Sequence, residues 1–237
     1  MKIKSMFLLT VVVIFSVSLL FIGKWAETMH LFDSLPSLIN KNIVYQSTTL
    51  ALALILLIAL RVTHKTTFTE HFKKGNISAP ILPELWIGIR PKSNENWKNF
   101  GRNLAVIITM VTAIIIFFQV IKQGEIHWMN WVRYLPFVLF FAVVNSFVEE
   151  IITRLSVVVS LKNSTPHKII PIVSAILFGT IHFWGTPGGF FGVLFAGFLG
   201  WFLAKSIIET KGIYWAWLIH FLQDVVIFSA MVLMLNH

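Results

Sequence analysis

Residues 132–160 read VRYLPFVLFFAVVNSFVEEIITRLSVVVS, an almost unbroken apolar run that carries Glu149, Glu150 and Arg154 near its C-terminal end. A helix needs about 20 mostly apolar residues to cross the hydrocarbon core of a bilayer, and this run is long enough. A charge near the bilayer centre costs at least about 2.5–3.5 kcal/mol on insertion scales, so charges there are paired or functional. The run therefore predicts a buried spanning helix with chemistry on it.

Similar apolar runs lie on both sides, at 5–23, 46–63, 103–121, 168–184, 188–208 and 213–235. With 132–160 they make seven, the second and fifth short and the fourth long. The composition agrees: 57% of the 237 residues are apolar and only 12% charged, with a mean hydropathy of +0.80. An ordinary soluble domain carries about 25% charged residues, so lipid is the solvent this chain needs. The expected fold is an all-α, multi-pass transmembrane bundle of about seven spans. Residues 1–102 hold the N-terminal spans and a long loop, and 103–237 hold the remaining bundle. The first run follows Lys2 and Lys4 without a small-residue cleavage site, so it reads as an uncleaved anchor.

The net charge of +9 does not point to nucleic acid, because the basic residues sit between apolar segments and form no patch interleaved with exposed aromatics. They act as topology signals and as contacts to anionic lipid headgroups. With the N-terminus inside, fourteen Lys and Arg fall in inside segments, among them Lys2, Lys4, Arg61, Lys73, Arg90, Lys162 and Lys211. Four fall outside: Lys24, Lys41, Lys122 and Arg133. That asymmetry predicts a cell-membrane protein with its N-terminus inside. The inside loop 64–102, with Pro80, Pro83, Pro91, Trp86 and Trp97, reads as an interfacial segment. Cysteine is absent, which excludes disulfides, thiolate metal sites and a cysteine nucleophile. The sixth run carries Gly188, Gly192, Ala196 and Gly200 at every fourth position, a stripe that lets a neighbouring helix approach closely.

The ionisable residues inside spans are few: Glu149, Glu150 and Arg154, then His182, then His220 and Asp224. Glu150 and Arg154 are four apart with the acid first, the favourable order for a helical ion pair. Glu149 is rotated about 100° from Glu150, so the two carboxylates are expected to divide their work. Glu150 neutralises Arg154, and Glu149 is left without a cation, as a general base for water requires. His182 shares a face with Phe178, and His220 shares one with Asp224, which can hold the imidazole in one tautomer. At about 1.5 Å rise per residue, Glu149, His182 and His220 come out at depths of about 18, 21 and 12 Å from the inside ends of their spans. Three helices thus deliver acid and imidazole to one level. The other histidines, His30, His64, His71, His127, His167 and His237, fall in expected loops or at the end and are assigned no role.

At these positions the chain resembles the CPBP family of intramembrane peptidases, which includes the CAAX prenyl endopeptidases and bacterial relatives. The family's motifs are Glu-Glu-x-x-x-Arg, Phe-x-x-x-His and His-x-x-x-Asn/Asp, in that order. Here they stand as Glu149-Glu150 with Arg154, Phe178 with His182, and His220 with Asp224. The resemblance covers 145–224. It implies hydrolysis of a peptide bond in a membrane-associated peptide or protein, with Glu149 activating water and His182 orienting it. His220 and Asp224 would stabilise the oxyanion, while Glu150, Arg154 and Phe178 support the site. An ionised Asp cannot donate a hydrogen bond as Asn can, so Asp224 is read as supporting a positively charged His220 that does the donating.

The expected cofactor is none. The alternative is zinc on Glu149, His182 and His220, since two His and a Glu serve several catalytic zinc sites. No His-Glu-x-x-His stands in the chain, and a ligating Glu149 would leave only Glu150 as base. Two other functions remain in view: a non-catalytic scaffold or bacteriocin-immunity protein, and a transporter with a proton relay. The second is expected to show inverted repeats and broken helices, which the sequence does not display.

Overall fold

The computed structural model describes residues 3–185 and 188–235, with the backbone alone for 119–123. Lys2, Pro187 and His237 lie outside the described residues, as does the side chain of Lys122. The chain forms α1 (Ile3–Ala26), α2 (Ser37–Thr63), α3 (Lys65–His71), α4 (Trp97–Gln123) and α5 (Trp128–Glu150). A π-helical turn, Ile151–Leu155, joins α5 to α6 (Ser156–Leu161). Then follow α7 (Ile169–Ile181) with a 3-10 turn His182–Trp184, α8 (Gly189–Thr210) and α9 (Tyr214–Leu233). Among the described residues there are no strands, only the isolated bridges Pro80–Asn96 and Glu84–Ile89.

The multi-pass all-α bundle is present. Among the described residues six helices are long and apolar enough to cross a membrane: α1, α2, α4, α5 continuing through α6, α8 and α9. The fifth apolar run forms the shorter helix Ile169–Trp184, about 24 Å long at 1.5 Å per residue against the roughly 30 Å core. Large apolar side chains such as Phe7, Met110, Phe117, Phe118, Phe190 and Leu194 point outward. Apolar surface on this scale suits lipid and not water. The buried core joins Leu8, Val12 and Leu19 of α1 and Leu56 of α2 to Ile151, Ile152 and Leu155 of the π turn. Several hydroxyls inside spans are satisfied within their own helix, as where Ser16 donates to the Val12 carbonyl (2.8 Å) and Ser146 to that of Ala142 (2.6 Å), because lipid offers no partner.

The second span is longer than its apolar run, since α2 begins at Ser37 and not near 46. Its first turns carry buried polar residues with partners of their own. Asn40 accepts from the Leu31 and Phe32 amides (3.1 and 2.9 Å) and donates to the Phe32 and Leu35 carbonyls (both 2.9 Å). Hydropathy counts such residues as surface, whereas here they fold the preceding loop onto the helix.

Glycines set the contact between α7 and α8. A Cβ on Gly179 would lie 2.8 Å from the Val193 carbonyl oxygen, and one on Gly200 would lie 3.0 Å from both Phe178 Cβ and the Ser174 oxygen. At Gly200 the small stripe of the sixth run therefore packs directly against Phe178 and Ser174 of α7.

The 64–102 segment is tied down more firmly than an interfacial loop need be. Asn76 N donates to the Thr210 carbonyl (2.7 Å) and Ile213 N to that of Lys73 (2.9 Å). Gly75, at φ +77°, crosses Gly212 so closely that a Cβ would sit 2.6 Å from its Cα. Lys205, buried and ion-paired with Glu209, donates to the Leu82 carbonyl (2.9 Å). Glu209 in turn accepts from Trp97 Nε1 (2.8 Å) and Leu82 N (3.2 Å). His71, given no role by sequence, is fully buried on α3. Its Nδ1 donates to the Thr67 carbonyl (2.8 Å), and its Nε2 accepts from Lys162 Nζ (2.9 Å).

Candidate active site

The site is built where α5, its π turn, α7 and α9 meet. Glu150 and Arg154 form the expected ion pair, Oε1 to Nη1 at 3.0 Å, with both side chains fully buried. Arg154 also donates to Thr153 Oγ1 (3.0 Å), and its guanidinium lies 3.5 Å above the centre of the Phe178 ring. That cation–π contact is favoured where water is excluded. Ser174 of α7 donates to the Thr153 carbonyl (2.8 Å) and the Gly200 carbonyl (3.2 Å), pinning the π turn to α7 and α8. π turns are rare and concentrate at functional sites.

Phe178 is the floor of the site. Its ring stands 4.0 Å from that of His182 and 5.6 Å, edge-on, from that of His220. His182 Nδ1 is 2.8 Å from the Phe178 carbonyl. A carbonyl only accepts, so Nδ1 carries a proton and Nε2 is the nitrogen left to face the site.

His220 is clasped by carboxylates. Its Nδ1 lies 2.8 Å from Glu150 Oε1, and its Nε2 lies 3.3 Å from Glu149 Oε2 and 3.8 Å from Asp224 Oδ1. This corrects the expected division of labour in two respects. Glu149 has a cationic partner in His220 when that ring is protonated, and Glu150 serves His220 as well as Arg154. The reason is geometric. Two neighbouring side chains that diverge by about 100° reach the two nitrogens on opposite sides of one imidazole, a partner that helical spacing within α5 does not reveal. Glu149, His220 and Asp224 are all buried, and His182 is partly exposed.

Sequence reasoning passed over three uncharged residues. Asn145, one turn before Glu149, donates from Nδ2 to Asp224 Oδ2 (3.1 Å). Gln46 of α2 donates from Nε2 to Asn145 Oδ1 (3.2 Å). Tyr45 lies within electrostatic reach of Glu149 and Asp224. The available signal was an amide in the middle of an apolar run at Asn145. Gln46 gives no such signal, because it lies where α2's apolar run begins.

Several buried polar atoms here have no hydrogen-bond partner among the described residues: Glu149 Oε2, Glu150 Oε2, and Arg154 Nε and Nη2. Among the described residues, no three His, Asp or Glu side chains are arranged to hold a metal ion. Of the zinc set, Glu149 Oε2 and His220 Nε2 face each other at 3.3 Å, while the other ring nitrogen of His220 is taken by Glu150 Oε1.

Residues 130–226 match the family model of type II CAAX prenyl endopeptidase Rce1-like proteins. The match spans α5 to most of α9 and contains every motif residue, so the resemblance read from the three motifs stands. It supports intramembrane endopeptidase activity in general, on a peptide or protein substrate, in a multi-pass membrane protein. No curated protein and no solved structure matches the chain.

Proposed function

We propose that this chain is a glutamate-type intramembrane endopeptidase that cleaves a membrane-associated peptide or protein. The observation that carries this reading is the clasp of His220 between Glu149 and Glu150, with Glu150 already neutralised by Arg154. Glu149 takes a proton from water, and the resulting hydroxide attacks the scissile carbonyl. His182, its Nδ1 committed to the Phe178 carbonyl, presents Nε2 to orient that water. His220 donates to the oxyanion that develops on the carbonyl, and Asp224 supports its positive charge. The proton held by Glu149 then passes to the leaving amine, which completes hydrolysis.

The reading is metal-free and takes the chain as a multi-pass cell-membrane protein with its N-terminus on the inner side and 103–237 as the catalytic bundle. A second reading, a scaffold or immunity protein without catalysis, keeps the bundle and leaves Glu149 only its contact with His220. The proton-relay transporter draws some support from the π turn between α5 and α6, although that turn also carries Arg154, the partner of Glu150.

The test uses purified wild type and Glu149→Gln in detergent on a mixture of short amphipathic peptides, with and without a strong chelator, read by mass spectrometry. Cleavage by wild type alone, indifferent to chelator, is the expected result. Loss with chelator and recovery with zinc would make Glu149 a ligand. Equal cleavage by both proteins would remove it from the reaction.

A further inference from the structure

Asp224 is the least securely held member of the site on its His220 side, at 3.8 Å from Nε2. Its other oxygen is held better. Oδ2 accepts from Asn145 Nδ2 at 3.1 Å, and Asn145 Oδ1 accepts from Gln46 Nε2 at 3.2 Å. A charged carboxylate only accepts, so Asn145 must turn its amide NH₂ towards Asp224 and its oxygen towards Gln46. Gln46 must then turn its own NH₂ towards Asn145. The consequence is visible at the end of the chain, where Gln46 Oε1 is buried with no hydrogen-bond partner among the described residues. An unsatisfied buried acceptor costs free energy. Flipping Gln46 would set its oxygen against Asn145 Oδ1, so the orphan is the cost of keeping the donors aimed at Asp224.

From this polarity we infer that Asn145 and Gln46 form an amide relay that orients Asp224 towards His220, making Asn145 a positioning residue for the oxyanion-stabilising imidazole. The inference rests on the peptidase reading. Gln46 belongs to α2, outside the matched residues 130–226, so the N-terminal part of the chain completes the site. Asn145 is the only member of the relay on α5, one turn from Glu149, and it couples the base to the side chain that supports the oxyanion donor.

The relay predicts a rescue that packing does not. In Asn145→Asp two carboxylates face each other with no donor between them. In the double variant Asn145→Asp with Asp224→Asn every hydrogen bond is restored. Gln46 donates to Asp at 145, the new amide at 224 donates to its other oxygen, and the oxygen at 224 still faces His220. In the peptide assay, Asn145→Asp and Asn145→Leu should lower kcat by about tenfold to a hundredfold with KM within about twofold. The double variant should recover most of that loss, and Gln46→Leu should show a smaller loss in kcat. Glu149→Gln run beside them tests the peptidase reading separately. Nitrogen NMR of histidine-labelled protein in detergent needs no substrate, and Asn145→Leu should move the His220 ring resonances while leaving those of His30 in place. Unmoved His220 resonances overturn the relay whether or not the peptide is cleaved. So does a folded double variant no more active than Asn145→Asp in an assay where wild type cleaves.

Discussion

His220 Nδ1 and Glu150 Oε1 lie 2.8 Å apart, although 70 residues of chain separate them and the carboxylate already pairs with Arg154. One acid thus holds a guanidinium and an imidazole at once. Its removal should be felt as stability and as activity together.

Arg154→Ala leaves Glu150 buried without its ion partner, and Glu150→Ala leaves the guanidinium so. Each should destabilise the protein by about 3–5 kcal/mol, as breaking a buried pair does. Replacing both, as Glu150→Leu with Arg154→Met, should recover much of that stability but not activity, because His220 then lacks its Nδ1 partner. Thermal unfolding in detergent and the peptide assay read the two effects. A double variant as unstable as the singles would contradict the assignment.

His182 should matter to the proposed reaction more than to the fold, since it stands partly exposed just after α7 with a single bond to the Phe178 carbonyl. His182→Ala should lower kcat by about a hundredfold to ten-thousandfold, the range for a lost acid–base group, and shift the melting temperature little. Phe178→Ala should do the opposite first. It removes a fully buried ring that touches Arg154, His182 and His220, with a cost of about 3–5 kcal/mol.

Gly179 and Gly197 face each other across α7 and α8 but are not equivalent. A methyl group on Gly179 would meet the Val193 oxygen at 2.8 Å, whereas one on Gly197 would meet the Ala175 oxygen at 3.4 Å. Gly179→Ala should force the helices apart, costing about 1–3 kcal/mol, and lower activity through the neighbouring Phe178. Gly197→Ala should be close to neutral, and a comparison of melting temperatures decides it.

Burial at His71, outside the spanning helices, holds its imidazole below the ordinary value of 6.5. The Thr67 carbonyl works against that shift, and Lys162 works with it. The unfolded chain therefore binds a proton at a pH where the folded one does not. Stability is full above pH 6.5 and declines as pH falls from there towards the lowered folded value. Glu70, the acid facing this group, is itself held below its ordinary value by Lys211 and Lys162 and stays charged through that window. His71→Gln keeps a donor for Thr67 and an acceptor for Lys162 without titrating. Its melting temperature should change less between pH 7.5 and 5.5 than that of wild type, and parallel curves would count against His71 as the group responsible.

Apolar runs too long and too uncharged for water determined the bundle before any contact was known, because lipid admits only helices that satisfy their own backbone. Three ionisable patches in those runs identified Glu149, Glu150, Arg154, His182, His220 and Asp224, since a charge in lipid is conspicuous by its cost. Hydropathy cannot see a polar residue whose partner is distant in the chain. The start of α2 at Ser37, the burial of His71, and the Gln46–Asn145–Asp224 relay were therefore decided by tertiary structure alone. So was the clasp of His220. Helical spacing relates residues on one helix, whereas the two nitrogens of an imidazole on α9 chose which carboxylates of α5 would share it.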